Sequence, residues 1–169
     1  MANNKKKYVR QSQVSMIELV LPNDTNILNN LLGGRLMHWM DIAGAMAASK
    51  HCNHIAVTAA VDVLIFHIPI KLGNIVTLKA SVNRAFNTSM EVGIRVETEE
   101  IETGEIKHTN SAYFTYVAID RNTREKMKVP EIIPETDEEK RRFEQALMRR
   151  NQRLSKTHGI FPVESPKKM

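Results

Sequence analysis

The chain has 169 residues, 42% of them apolar and 25% charged, enough for one globular domain with a buried core and too few for two full ones. With 5% aromatic residues and 7 Gly, its core must come mainly from Leu, Ile, Val, Ala and the 9 Met, and disorder or collagen-like repetition is excluded. The net charge of +5 sits at the ends: residues 1–10 carry +4 and residues 135–169 carry +3, leaving a slightly acidic body with no basic stripe for a phosphate backbone, so no nucleic acid is expected as a partner.

A single cysteine, Cys52, makes neither an intrachain disulfide nor a cysteine-based zinc site, and His51-Cys52-Asn53-His54 lacks a second cluster to complete a tetrahedral one, so no metal is expected. Residues Met1 to Val14 lack an apolar leader and no run reaches membrane-spanning length, which predicts a cytoplasmic protein without a membrane segment.

In chain order, a basic tail over 1–11 precedes a domain over 12–130, followed by a C-terminal helix and mobile tail over 131–169. Gln13 to Leu21 has strand composition and ends at the turn cluster Pro22-Asn23-Asp24. Gly33-Gly34 then opens a helix predicted over Arg35 to His51, apolar nearly all round and therefore buried. Period-two runs follow at about 56–68, 74–86, 89–100 and 106–119, with turn residues at Lys71 to Asn74, Asn87-Thr88 and Glu102 to Glu105, as in an antiparallel meander. Thr136-Asp137-Glu138-Glu139 is a capping box for a second helix running to about Ser155, with a narrow apolar stripe at Phe143, Ala146, Leu147 and Leu154. The residues from Gly159 on are expected to be mobile. One strand, a long buried helix and four long antiparallel strands make an α+β layout in which the sheet wraps the central helix, the hotdog fold. Such a sheet leaves an edge unpaired and one side of the helix uncovered, so two chains are expected to join.

Asp41 stands out within the apolar helix, flanked by Trp39, Met40, Ile42, Ala43 and Gly44. A carboxylate there needs a purpose: either a structural pairing with Arg35 or His38, or general-base chemistry at a cleft. Asn26, fifteen residues earlier in a polar loop, is a turn former whose amide could also orient a water or polarise a carbonyl. Gly33 and Gly34 would let a ligand approach the free amides of the helix N-terminus. Ser49, Ser89 and Ser111 lie in no Gly-x-Ser-x-Gly elbow, which disfavours a serine hydrolase. Met37, Met40 and Met46 read as core fillers that would also suit an adaptable acyl pocket.

Pro22 to Gly34 followed by Leu36-Met37-His38-Trp39-Met40-Asp41-Ile42-Ala43-Gly44, with Phe66-His67-Ile68-Pro69-Ile70, Gly73-Asn74-Ile75-Val76 and Asn87-Thr88-Ser89-Met90-Glu91-Val92, resembles the hotdog acyl-CoA thioesterases of the cytosolic acyl-CoA hydrolase type over roughly residues 12 to 120. The resemblance implies hydrolysis of an acyl-CoA thioester at a site where Asn26 and Asp41 come from opposite subunits. It implies CoA contacts at Val57, Thr58 and Ala59 and at Asn87, Thr88 and Ser89, with Arg84 and the C-terminal helix meeting the CoA phosphates. It further implies a homodimer at least, often a trimer of dimers. CoA would enter as part of the substrate and no further cofactor is called for. Asp41 would activate water or attack the carbonyl directly to give a mixed anhydride, with Asn26 and the amides at Gly33 and Gly34 orienting water and polarising the carbonyl. Two other readings remain: a non-catalytic acyl-CoA-binding hotdog module, and a hydroxyacyl-thioester dehydratase using His38, a helical neighbour of Asp41.

Overall fold

The computed structural model describes residues 6–66 and 68–160, the side chains of 156–160 excepted; Lys5, His67 and the tail beyond residue 160 lie outside the described residues. A two-residue strand β1 (Lys7–Tyr8) precedes β2 (Val14–Leu19) and helix α1 (Gly33–Cys52). Then come β3 (Ile55–Val61), β4 (Ile75–Ala85), β5 (Ser89–Glu99), β6 (Ile106–Ile119), a two-residue β7 (Ile132–Ile133) and helix α2 (Asp137–Ile160).

Strands β2 to β6 form one sheet in the order β2-β4-β5-β6-β3, antiparallel at every pairing, and it wraps α1 in the hotdog arrangement. The alternation of the strands sorts their side chains. Val76, Leu78, Ala80 and Val82 of β4, Met90, Val92, Ile94 and Val96 of β5, and Ala112, Phe114, Tyr116 and Ala118 of β6 are buried in one core with Leu36, Met40, Ala43 and Ala47 of α1. The opposite face carries Glu91, Gly93 and Tyr113, over which α2 lies: Arg149 binds Glu91 through two nitrogens at 2.7 and 3.1 Å and stacks on the Tyr113 ring. The capping box forms as expected, with Glu139 N–H on Thr136 Oγ1 and Thr136 N–H on Glu139 Oε2.

Three expectations change. The run over 56–68 is not the neighbour of 74–86: β3 lies at the far edge beside β6, while β4 pairs with β2, so the chain crosses the sheet between them and the turn at Lys71 to Asn74 closes no hairpin. That run also leaves the sheet after Val61. As an edge strand, β3 has β6 as its one strand partner, and beyond the Val61–Phe114 pair the run touches β6 only through Asp62 N–H on the Tyr113 carbonyl and Asn110 Nδ2 on the Ile65 carbonyl among the described residues. Finally, α1 begins at Gly33 rather than Arg35, and α2 runs to Ile160 rather than ending near Ser155.

Lys7 and Arg10, read from sequence as tail charges, are both engaged. Lys7 donates to the carbonyls of Lys50 and His51 and to Asn53 Oδ1, satisfying the free acceptors at the C-terminus of α1, where a cation also favours the helix dipole. Arg10 pairs with Glu135. No helix among the described residues is long and apolar enough to cross a membrane.

His51, fully buried at the end of α1, donates through Nε2 to the Pro130 carbonyl at 2.8 Å, while Nδ1 has no partner among the described residues. Burial holds its pKa below the usual 6.5, the carbonyl offsetting part of that effect and the charge of Lys7 adding to it. The folded state therefore keeps His51 neutral where the unfolded chain would protonate it, so its contribution is complete above pH 6.5 and is lost as the pH falls below that value. In urea titrations from pH 7 to 5, His51→Gln is expected to remove up to about 1.4 kcal/mol per pH unit from the slope of stability against pH. An unchanged slope would assign the acid sensitivity to other groups.

Candidate active site

The loop before α1 is held in shape by its own polar groups. Asp24, buried, accepts Leu21 N–H on Oδ2 and the Arg35 guanidinium on Oδ1 at 2.8 Å, while its carbonyl takes Leu32 N–H. Arg35 is thus committed to Asp24, not to Asp41. Asn26 folds the loop onto itself: its Oδ1 accepts Leu28 N–H at 2.9 Å and Asn30 N–H at 3.2 Å. The turn-forming reading of Asn26 therefore describes its oxygen, and its Nδ2 donor makes no bond to any described residue. Leu32 caps α1 with no side-chain bond, so the amides of Gly33, Gly34 and Arg35 keep the free donors of a helix start; Leu36 N–H already reaches the Leu32 carbonyl. A side chain at Gly33 would stand 3.3 Å from the Phe66 ring, whereas Gly34 faces open space. Asn26, Gly33, Leu36, Phe66 and Ile70 border an apolar cavity of about 330 Å³.

Asp41 sits two turns further along α1 on its less covered side. Thr58 of β3 donates to Asp41 Oδ1 at 2.5 Å, and Tyr116 of β6 donates to the Asp41 carbonyl at 2.9 Å and to Oδ1 at 3.3 Å. The sheet register explains this convergence. Thr58 and Tyr116 are directly opposed on neighbouring strands, so both side chains point to the same face, toward α1. Oδ2 is left with no partner among the described residues. His38 is exposed and bonds no acid, so neither structural pairing proposed from sequence accounts for Asp41. The Tyr116 phenol is pushed well above its usual range, first by burial and then by the charge of Asp41, and so stays protonated as a donor.

The remaining sequence-predicted positions divide. Val57, Thr58 and Ala59 are exposed on edge strand β3, and Ala59 is the unpaired residue of a bulge there. Ser89 and Val57 both align with Val117, two strand spacings or about 10 Å apart, and Asn87 and Thr88 form the adjoining turn. Arg84 lies on the other face of the sheet: its guanidinium stacks on Phe143 at 3.9 Å, donates to the Phe143 carbonyl and approaches Glu144 of α2. One chain does not bring Arg84 to Asp41. A larger cavity of about 540 Å³ on that face is bordered by Lys79, Arg95 and Arg142, but Lys79 and Arg95 are both bonded to Glu97. Sequence reasoning missed Tyr116. Its signal was the period-two pattern of β6, which places a phenol in the core where its hydroxyl requires a partner.

Residues 28–105 match the thioesterase superfamily. The chain is 41% identical over 143 residues to Protein VdlD of Helicobacter pylori, covering 85% of this chain and 81% of that protein. An apo-hexameric acyl-CoA thioesterase superposes with a TM-score of 0.87 at 35% identity, over 90% of this chain and 97% of that one. The acyl-CoA hydrolase of Staphylococcus aureus, solved with butyryl-CoA and CoA, superposes with a TM-score of 0.83 at 31% identity, over 92% of this chain and 96% of that one. Three further structures of the Staphylococcus aureus enzyme carry alanine in place of an asparagine, an aspartate or a threonine. The chain belongs to the thioesterase superfamily. In this thioesterase fold the loop carrying Asn26 depends on Asp24, and Asp24→Ala is expected to cost about 1–3 kcal/mol and to speed amide exchange at Leu21, whose acceptor it removes. Hydrogen-exchange mass spectrometry checks this, and unchanged protection of the segment would show the loop held without Asp24.

Proposed function

We propose that this protein hydrolyses the thioester of acyl-CoA to a carboxylic acid and free CoA, at a site assembled from two copies of the chain. The observation that carries the reading is the Asp41 carboxylate, fixed through Oδ1 by two hydroxyls and open at Oδ2, in a chain of the thioesterase superfamily. The asparagine, aspartate and threonine replaced in the Staphylococcus aureus hydrolase stand 15 and 17 residues apart, the spacing of Asn26, Asp41 and Thr58 here.

In this reading Oδ2 of Asp41 takes a proton from water as the oxygen attacks the thioester carbonyl. The oxyanion forms against the amides at Gly33 and Gly34 and the Nδ2 donor of Asn26. Collapse breaks the carbon–sulfur bond, and Asp41 returns its proton to the departing CoA thiolate. Oδ2 is equally open for direct attack, giving a mixed anhydride that water then cleaves. CoA is a substrate portion in both routes.

Distance supports the use of two copies. Gly33 and Asp41 are eight residues apart, about 12 Å along the helix, whereas a base and an oxyanion donor must each come within about 3 Å of the reacting atoms. The exposed side of α1 carries Met37, Ile42 and Met46, beside the unpaired edge of β3 with Val57 and Val61. A second chain covering that face would bring its own Asn26 and helix start toward Asp41 and hide this apolar surface. We assign the CoA moiety to Val57, Thr58 and Ala59 and to the turn at Asn87, Thr88 and Ser89. Arg84, which lies at the base of that same turn, is assigned to its phosphates, and the assembly to a trimer of dimers.

Thiol release from acyl-CoAs of increasing chain length, followed with a thiol-reactive dye for wild type and Asp41→Asn side by side, tests the reading. Wild type is expected to release CoA and the variant to be slower by about 10³-fold with its fold intact. CoA binding without release by wild type would favour the binding module, and product formation without free thiol would favour the dehydratase.

A further inference from the structure

Tyr116 is fully buried on β6, its ring stacked on Phe114 with centroids 6.2 Å apart, and its hydroxyl emerges beneath α1 at Gly44. The fit is close: a Cβ on Gly44 would fall 2.3 Å from the hydroxyl oxygen and 2.9 Å from Cζ, both impossible contacts. Ala43 and Ala47 flank this gap, both without solvent exposure, so the helix has no freedom to lift away and admit a side chain. A glycine at 44 costs helix stability relative to alanine, by about 1 kcal/mol, and the space it leaves is filled by the phenol.

We propose that Tyr116 is a positioning residue for hydrolysis, holding the Asp41 carboxylate by Oδ1 so that Oδ2 faces the reacting centre, and that Gly44 is the opening through which it reaches. The inference rests on the reading of Asp41 given above. Thr58 shares the task, but it sits on an exposed edge strand where water competes for its hydroxyl, whereas the Tyr116 donor is buried and has no solvent alternative. The competing account makes Tyr116 a core residue whose hydroxyl is satisfied by the Asp41 main-chain carbonyl, the shorter of its two contacts at 2.9 Å against 3.3 Å. That account requires no effect on turnover.

Two measurements separate them. In Tyr116→Phe, which keeps the ring and its stacking, kcat is expected to fall about 10- to 100-fold while KM for acyl-CoA stays unchanged, the loss appropriate to one hydrogen bond to a charged group. In the otherwise native protein, 3-fluorotyrosine placed at position 116 by site-specific incorporation should give a ¹⁹F resonance that shifts when Asp41 is changed to Asn, because the phenol donates to that carboxylate. A folded Tyr116→Phe with wild-type kcat overturns the proposal. So does a ¹⁹F resonance indifferent to Asp41→Asn, and this second measurement decides the matter even where the phenylalanine variant does not fold. Wild-type turnover in Asp41→Asn would instead remove the reading beneath the proposal, and the proposal with it.

Discussion

The close approach of α1 to the sheet is the constraint on which the rest of the molecule depends. Ala43, Gly44, Ala47 and Ala48 form the face that meets the strands, and three of them are alanines with no exposure at all. Side chains this small let the helix sink until the hydroxyls of a cross-strand pair, Thr58 and Tyr116, reach the carboxylate of Asp41. A bulkier face would bury as much apolar area and still hold a helix on a sheet, but the carboxylate would stand away from its donors. Packing and site geometry are therefore one feature, because interiors transmit changes of a single carbon atom.

The same helix explains why the proposed site needs a second chain. Its inner face is saturated by the sheet, its N-terminal amides open at Gly33 beside Asn26, and Asp41 lies two turns away on the less covered side. The apolar residues left exposed there and along β3 are not covered by any described residue. On the proposed reading, hydrophobic burial and completion of the reacting centre ask for the same event, association of two copies. The outer face is organised differently: α2 is fastened by charge, with buried Glu91 held by Arg149 and Asn83, and Asp62 by Arg153. That arrangement fixes the sheet from behind and leaves the α1 side free.

The strands and α1 were legible because their periodicities are clean: Val76 to Val82 and Met90 to Val96 alternate, and the stretch after Gly34 is unbroken by proline. The position of β3 was not, since alternation identifies a strand but not its neighbour, and a connection carrying Lys71 to Asn74 looks locally like a hairpin turn. Asp41 was visible as a polar residue out of place in an apolar helix, whereas Asn26 was one turn former among several in a polar loop before a glycine pair. Tyr116 was invisible as a partner of Asp41 because the two are 75 residues apart and meet only through the β3–β6 register. Which face of the sheet Arg84 occupies was not legible either, since its charge does not say where it points.

The claim that Asn26 of one copy serves Asp41 of another is tested most directly by mixing two inactive chains. Asn26→Ala and Asp41→Asn are unfolded together, refolded at equal concentration and assayed for thiol release. Random pairing makes half the dimers mixed, each with one intact site, so activity should return to about a quarter of wild type. A mixture no more active than its separate parents would contradict a site shared between subunits.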